Sequence, residues 1–211
     1  ITRAGIKPNQ VNEVIMGNVV SAGQGQNVAR QAMIAAGLPY EIGAFHVDKV
    51  CGSSLKAIVL ATQAIKVGDA KAIVAGGMES MTNCPYLLDR ARFGYRMFDG
   101  KLIDSMVRDG LWDKYNTFHM GMTGEVVADM YDITRKDCDT FAYHSHQKAE
   151  KATETGKFKP EIMPLEIPQK KAASLVFATD EGIRKNTTIE KLGTLKAVFK
   201  ENGVVTAGNA S

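Results

Sequence analysis

A cysteine stands where a short apolar, β-branched segment gives way to a helix-forming one, in "KVCGSSLKAIVL", residues 49–60. A helix that opens just after Cys51 offers unpaired backbone N–H groups and the positive end of its dipole. Thiols at helix N-termini lose their protons more readily, and the same N–H groups stabilise an oxyanion on an attacked carbonyl. Gly52, Ser53 and Ser54 are small and leave room for a substrate. The ordinary alternative is a satisfied interior cysteine, because free Cys is among the most buried residue types. Local sequence leaves both readings open.

Other segments carry weaker signals. "AGGME" (75–79) ends an apolar run in two glycines, where the backbone must approach something closely or turn. It lacks the Lys and Ser/Thr of a phosphate loop, so a structural use is the better reading. "FHMGMTGE" (118–125) sets His119 and Met120 before a helix expected to open near Thr123, with Glu125 early enough to complement its dipole. On local grounds a histidine there is more often structural. His144 and His146, two apart on one helix, face different directions and suggest no metal pair. His46 alternates within a strand and reads as packing.

These residues need elements to hold them. "EVIMGNVV" (13–20) reads as a strand, "QNVARQAMIAAGL" (26–38) as a helix ended by Gly37, and "AFHVDKV" (44–50) as a second strand. "SSLKAIVLATQAIKVG" (53–68) follows as a helix closed by Gly68, then "KAIVAGGME" (71–79) as a buried strand. Strands alternating with helices predict an α/β fold with a parallel or mixed sheet. Residues 80 to about 118 keep no period and form a long excursion. Helices are expected over 123–132 and over 135–158, the second N-capped by Thr134. Short β-like pieces around "EIMPLEI", a polar loop through residue 190, and "VVTAG" (204–208) returning to a sheet complete the chain.

The bulk composition excludes several classes. With 45% hydrophobic and 23% charged residues among 211, the chain is globular, with a soft prior of one or two domains. No apolar run approaches the ~18 residues of a membrane span, so the chain is read as soluble and without a membrane partner. A net charge of +3, evenly spread, does not make a nucleic-acid footprint. Cys51, Cys84 and Cys138 form no CxxC pair, which argues against a disulfide framework or a thiolate metal site and fits a reducing, cytoplasmic compartment. The chain begins at Ile1, so a targeting peptide ahead of it stays open.

In combination the motifs say more. "GQGQNVARQA" (23–32), "VCGSSLKA", "GGMESM", "DGLWDKYNTFHMGMTGE", "GKFKPEI" and "VVTAGNAS", in this order and spacing, resemble the thiolases, in particular their biosynthetic acetyl-CoA acetyltransferase branch, over essentially the whole chain. The resemblance implies a layered α/β/α fold of two similar halves with a loop domain inserted in the first. This chain would hold a truncated version: residues 1–82 as an incomplete N-terminal core, 83–205 as a CoA-binding loop domain, and 206–211 as the start of a strand returning to the core.

The resemblance also implies roles. Cys51 matches the nucleophile that takes an acyl group from a CoA thioester and hands it to a second acetyl-CoA. Leu111, His119 and Met120 match the wall of the pantetheine tunnel, Arg184 in "TDEGIRKN" matches a residue that meets the nucleotide end of CoA, and Ala210 and Ser211 match residues beside the pantetheine. A basic exposed loop suits the phosphates of CoA. No permanently bound cofactor is implied; the CoA thioester is the substrate. "TGEVVA" departs from the family's usual "TAENVA", and Lys191 stands where a hydroxyl residue is often found; both bear on CoA affinity.

Three family motifs do not occur in the 211 residues: Asn-Glu-Ala-Phe, Gly-His-Pro with its activating histidine, and a second cysteine in Cys-x-Gly. The chain alone is therefore expected to be inactive or crippled, and to need a partner chain or to form a homo-oligomer. A non-catalytic CoA-binding or assembly subunit is the alternative reading. A ketoacyl synthase relative on the same fold is disfavoured by "HMG" and "GGMESM".

Overall fold

The computed structural model describes residues 1–170 and 172–210. Ser211 lies outside them. The chain divides into two compact units, Ile1–Lys114 and the remainder from Tyr115.

The first unit is built on three parallel strands, β1 (Glu13–Gly17), β2 (Gly43–Val47) and β3 (Ile73–Gly77), in the order β2-β1-β3. Helix α1 (Val28–Ala35) links β1 to β2, and α2 (Ser53–Val67) links β2 to β3, the crossovers that parallel pairing requires. Asn27 caps α1 by accepting the Arg30 N–H at 3.0 Å, and Gly37 at φ 78° takes the left-handed turn beyond it. Gly68, also left-handed, closes α2.

Alternation along the strands sorts the core into two layers. Val14 packs with Val11, Met33, Leu38 and Ile42, with Met16 and Val74 beside them. Ile15 packs with Ala57 and Ala61 of α2, with Ile73 and Ala75 against them. On that second face the side chains shrink toward the carboxyl ends: Ile15 then Gly17 in β1, and Ile73, Ala75, Gly77 in β3. The helix side is small too, with Ser53, Ala57 and Ala61 as the buried residues of α2. The gap between α2 and the sheet therefore narrows toward the amino end of the helix.

The opposite side of α2 exposes Leu55, Ile58, Val59, Ile65 and Val67. The 18-residue window Val50–Val67 has a mean hydropathy of 1.3, which corrects the expectation that no run is long and apolar enough to cross a membrane. Gly52, Ser53, Ser54, Thr62 and Gln63, besides the charged Lys56 and Lys66, interrupt its apolar residues, so no uninterrupted run marks it in the sequence. In this fold the segment is the helix packed on the sheet through its alanines.

Beyond β3 the aperiodic excursion contains a two-residue antiparallel pairing, Tyr86–Leu87 with Ile103–Asp104, and a single wide helical turn, Met106–Leu111, with π geometry. Ser105, fully buried, anchors that turn by donating its hydroxyl to the Pro85 carbonyl at 2.5 Å.

The second unit carries α3 (Met120–Met130), α4 (Arg135–Glu154), a hairpin of Leu165–Ile167 with Leu175–Phe177, and the short α5 (Ile189–Gly193). Thr134 and Asp137 form the reciprocal cap expected at the head of α4. Three expectations are corrected. Helix α3 opens at Met120, not near Thr123, because His119 is its N-cap. Glu125 does not serve the helix dipole from the surface: it is 1% exposed and accepts the N–H groups of Val204 at 2.9 Å and Val205 at 2.8 Å. The polar stretch before residue 190 holds the second hairpin strand and the start of α5. Both strands of the hairpin are exposed, so no inward-facing apolar period marks Leu175–Phe177 in the sequence.

Candidate active site

The carboxyl ends of the three parallel strands converge on Cys51, as open α/β sheets generally place their ligands. The turn from β2 into α2 is tight and tied at both ends. Asp48 Oδ1 accepts the Val50 N–H at 2.8 Å. The buried Ser53 hydroxyl accepts the Lys49 N–H at 2.8 Å and donates to the Val50 carbonyl at 2.5 Å. Between these ties Val50 sits at φ 48°, a conformation a β-branched residue adopts only under constraint. The next residue, Cys51, is thereby turned outward and exposed. Gly52 has no side chain with which to cap the helix, so the first turn of α2 has no side-chain acceptor at its head.

Cys51 and Leu111 line one cavity of about 390 Å³, together with Gly17, Asn18, Ser54 and Glu79. The two glycines are explained by close approach. A Cβ at Gly17 would run into the Ser54 backbone nitrogen, and one at Gly77 into the Ser54 hydroxyl. The structural reading of "AGGME" therefore holds at Gly77: the absent side chain lets the head of α2 lie directly over the strand ends.

The remaining sequence-derived residues lie in the second unit. His119 Nδ1 accepts the Gly121 N–H at 3.0 Å, which in the neutral ring leaves the proton on Nε2, and the ring stacks on Phe199 at 4.8 Å between centroids. Met120, the first residue of α3, is 39% exposed. The Arg184 N–H donates to His146 Nδ1 at 3.2 Å, whereas His144 Nδ1 lies 3.4 Å from Gln147 Oε1, so the two histidines take different partners. Ala210 donates its N–H to the Thr206 carbonyl at 3.0 Å. Its turn is tied through Asn209 to the buried Asp139, which also accepts from Arg135 at 2.8 Å.

Sequence reasoning saw Ser53 only as a small residue and passed over Asp48, Asn18 and the hydrogen bonds of Glu79. An Asp two residues before a branched residue, followed by Ser three further on, is the available signal for such a tied turn.

The thiols differ in environment. Loss of hydration, and then the charges of Glu79, Asp104 and Asp109, push the half-buried Cys84 thiol up. Cys138 is raised in the same way, first by burial and then by Asp139, Asp137 and Glu125. A raised thiol pKa means less thiolate at every pH below it. Iodoacetamide at about pH 8 is therefore expected to label the exposed Cys51 first, with Cys84 and Cys138 catching up only as the pH rises past an ordinary thiol midpoint. Peptide mapping over a time course checks the order; labelling of Cys84 and Cys138 ahead of Cys51 would refute it.

Comparisons with known proteins point to one family. The family described as thiolase, N-terminal domain, matches residues 1–211. A probable acetyl-CoA acyltransferase of Staphylococcus epidermidis is 54% identical over 206 residues, covering 98% of this chain and 52% of the relative. An acetyl-CoA acetyltransferase of Cupriavidus necator is 53% identical over 211 residues, 100% of this chain and 54% of the relative. The crystal structure of the Bacillus anthracis acetyl-CoA acetyltransferase superposes with a TM-score of 0.95 at 38% identity, over 99% of this chain and 52% of that one. The chain spans about half the length of the curated relatives it matches, and it belongs to the thiolase family, whose layered α/β fold it carries in truncated form.

Proposed function

We propose that Cys51 is the acyl-accepting nucleophile of a thiolase-type acetyltransferase working by a ping-pong cycle. In the first half the Cys51 thiolate attacks the carbonyl carbon of acetyl-CoA, a new C–S bond forms, and CoA leaves as its thiolate and takes up a proton. In the second half the α-carbon of another acetyl-CoA, once deprotonated, attacks the acetyl-Cys51 carbonyl. Acetoacetyl-CoA forms and the Cys51 thiolate is released; the reverse sequence cleaves acetoacetyl-CoA with CoA. Leu111, His119, Met120, Ala210 and Ser211 would line the pantetheine and Arg184 would meet the nucleotide. The observation that supports this reading is the exposed cysteine on a strained turn at the head of α2, inside a cavity at the strand ends.

The second half-cycle needs a base on the α-carbon and a second cysteine, and the family motifs that supply them are not among these 211 residues. The chain alone is accordingly expected to be acetylated slowly without sustained turnover. Incubation with acetyl-CoA, followed by intact-mass and peptide analysis, is expected to find acetyl on Cys51 and no accumulating acetoacetyl-CoA. Absence of the adduct removes the proposal; steady acetoacetyl-CoA production removes the claim of incompleteness.

The domain arrangement that goes with this reading is an N-terminal core over 1–82, a CoA-binding loop domain over 83–205 and a returning strand from 206. The exposed apolar residues of α2, Leu55, Ile58, Val59, Ile65 and Val67, are of the kind that belong in an interior, and β2 is an edge strand of its sheet. Both favour a covering partner, whether a chain carrying the second catalytic half or further copies of this one. Sedimentation velocity is expected to show self-association or assembly with such a chain; a monodisperse, well-folded monomer contradicts it. Three free cysteines fit a reducing, cytoplasmic setting.

A further inference from the structure

We infer that Glu79 and Asn18 form a positioning pair that sets one wall of the Cys51 cavity. Past the last residue of β1 the chain runs on as Asn18–Val20, which borders the cavity together with Met78 and Glu79 just beyond β3. Backbone pairing holds only the start of this wall: the Met78 N–H donates to the Gly17 carbonyl at 3.0 Å and the Asn18 N–H to the Val47 carbonyl at 3.2 Å. From there the Glu79 carboxylate takes over the ladder. Its Oε2 accepts the Val19 N–H at 2.8 Å, and its Oε1 accepts both the Val20 N–H at 3.1 Å and Asn18 Nδ2 at 2.9 Å.

Asn18 is the other jaw. At 2% exposure it donates from Nδ2 to Glu79 and to the Met78 carbonyl at 3.0 Å, so it bridges the carboxylate to the strand end that carries it. Its Oδ1 is buried with no hydrogen-bond partner. An amide turned the other way would satisfy neither acceptor, so the orientation is dictated by the two bonds it makes. A side chain that leaves one buried oxygen bare to supply two donors is placed for those two bonds, which an apolar residue of the same size could not make.

Only a carboxylate can complete this arrangement. Three donors meet two oxygens, and a carboxamide at position 79 would turn an NH₂ toward either Val19 or the Val20–Asn18 pair. Aspartate would keep the charge but withdraw both oxygens by one methylene. The pair thus governs the shape of the space beside Cys51, and with it the size of group that reaches the thiol.

This rests on Cys51 as the nucleophile proposed above, but the test reads the thiol without CoA. Wild type, Glu79→Gln and Glu79→Asp are alkylated with the slender iodoacetamide and the bulkier N-ethylmaleimide, and rates are followed at each cysteine below the lowest melting midpoint. Amide exchange at Val19 and Val20 is measured in parallel. Both variants are expected to exchange those amides faster and to shift the Cys51 rate ratio toward the bulkier reagent by about fivefold, the factor that goes with one lost hydrogen bond, with the ratio at Cys138 unchanged. Only Glu79→Gln should also speed Cys84, because it alone removes one of the charges that hold that thiol up.

An unmoved Cys51 ratio overturns the proposal, as does a shift confined to Glu79→Gln, which would be an effect of charge. If one variant does not fold, the other decides, since a moved ratio with unchanged Val19 and Val20 exchange also overturns it. If neither folds, Glu79 is a determinant of stability and the inference fails. A Cys51 that alkylates as expected yet never accepts acetyl from acetyl-CoA defeats the acyltransferase reading and leaves the positioning pair standing.

Discussion

Gly17→Ala is expected to destabilise the Ile1–Lys114 unit by about 3 kcal/mol, at the upper end of the usual overpacking cost, and to disturb Cys51 alkylation at the same time. A Cβ at residue 17 would overlap the Ser54 backbone nitrogen and lie 2.6 Å from the Ser53 carbonyl carbon and 2.8 Å from Ser53 Cβ. These are atoms of the first turn of α2, so no rotamer change relieves them and the helix must lift. Ser53 is also the residue whose hydroxyl ties down Lys49 and Val50, so lifting it loosens the turn that presents Cys51.

Gly77→Ala makes the informative contrast. Its added carbon would strike the Ser54 hydroxyl, with Ser54 Cβ at 3.0 Å and the Gly17 carbonyl oxygen at 3.1 Å. Much of that clash belongs to one side chain, so the cost should be smaller, about 1–2 kcal/mol, and Ser54→Gly should recover most of it. The same second change should do little for Gly17→Ala. Denaturant unfolding of the two single variants and the two doubles measures this directly. Equal rescue in both backgrounds would show that the head of α2 is not held by backbone contact at Gly17.

The second large effect concerns the acetyl adduct. Cys51→Ala is expected to take acetylation by acetyl-CoA from about one group per chain to none, with the unfolding midpoint little changed. The thiol is exposed and fills no space in either core layer, so its removal costs almost no packing. Cys51→Ser should also fail to accept acetyl, because an alcohol is a poor nucleophile without a neighbouring base and the family's activating histidine motif is not in this sequence. An adduct that persists in Cys51→Ala, carried on Cys84, Cys138 or a lysine, would separate the chemistry from the strand-end cavity and overturn the assignment.

Much of the first unit can be read from residues 13–79 alone. Its three strands and two helices carry local signals: β-branched runs, helix formers bounded by Asn27, Gly37 and Gly68, and the alternation that divides Val14 from Ile15. The cap of α4 by Thr134 and Asp137 is equally local, since both residues lie within one turn. Cys51 could be singled out because a thiol between a strand and a helix is a short-range pattern.

Other features depend on residues far apart in the chain. Glu125, at position six of an eleven-residue helix, gives no hint that Val204 and Val205 will bring it their N–H groups. His119 as a cap moves the start of α3 by three residues, because an imidazole nitrogen does the work usually given to Ser, Thr, Asp or Asn.

By itself the amino-acid sequence determined the element types over residues 13–79 and the family, and it singled out Cys51 as the candidate nucleophile. Only the tertiary structure decided why Gly17 and Gly77 carry no side chains and that Asn18 and Glu79 close a wall beside the thiol. Local signals come from each residue's own backbone preferences and nearest neighbours. These latter features arise from contacts made by residues 17, 18, 53, 54, 77 and 79, which meet only after two crossovers have brought the strand ends together.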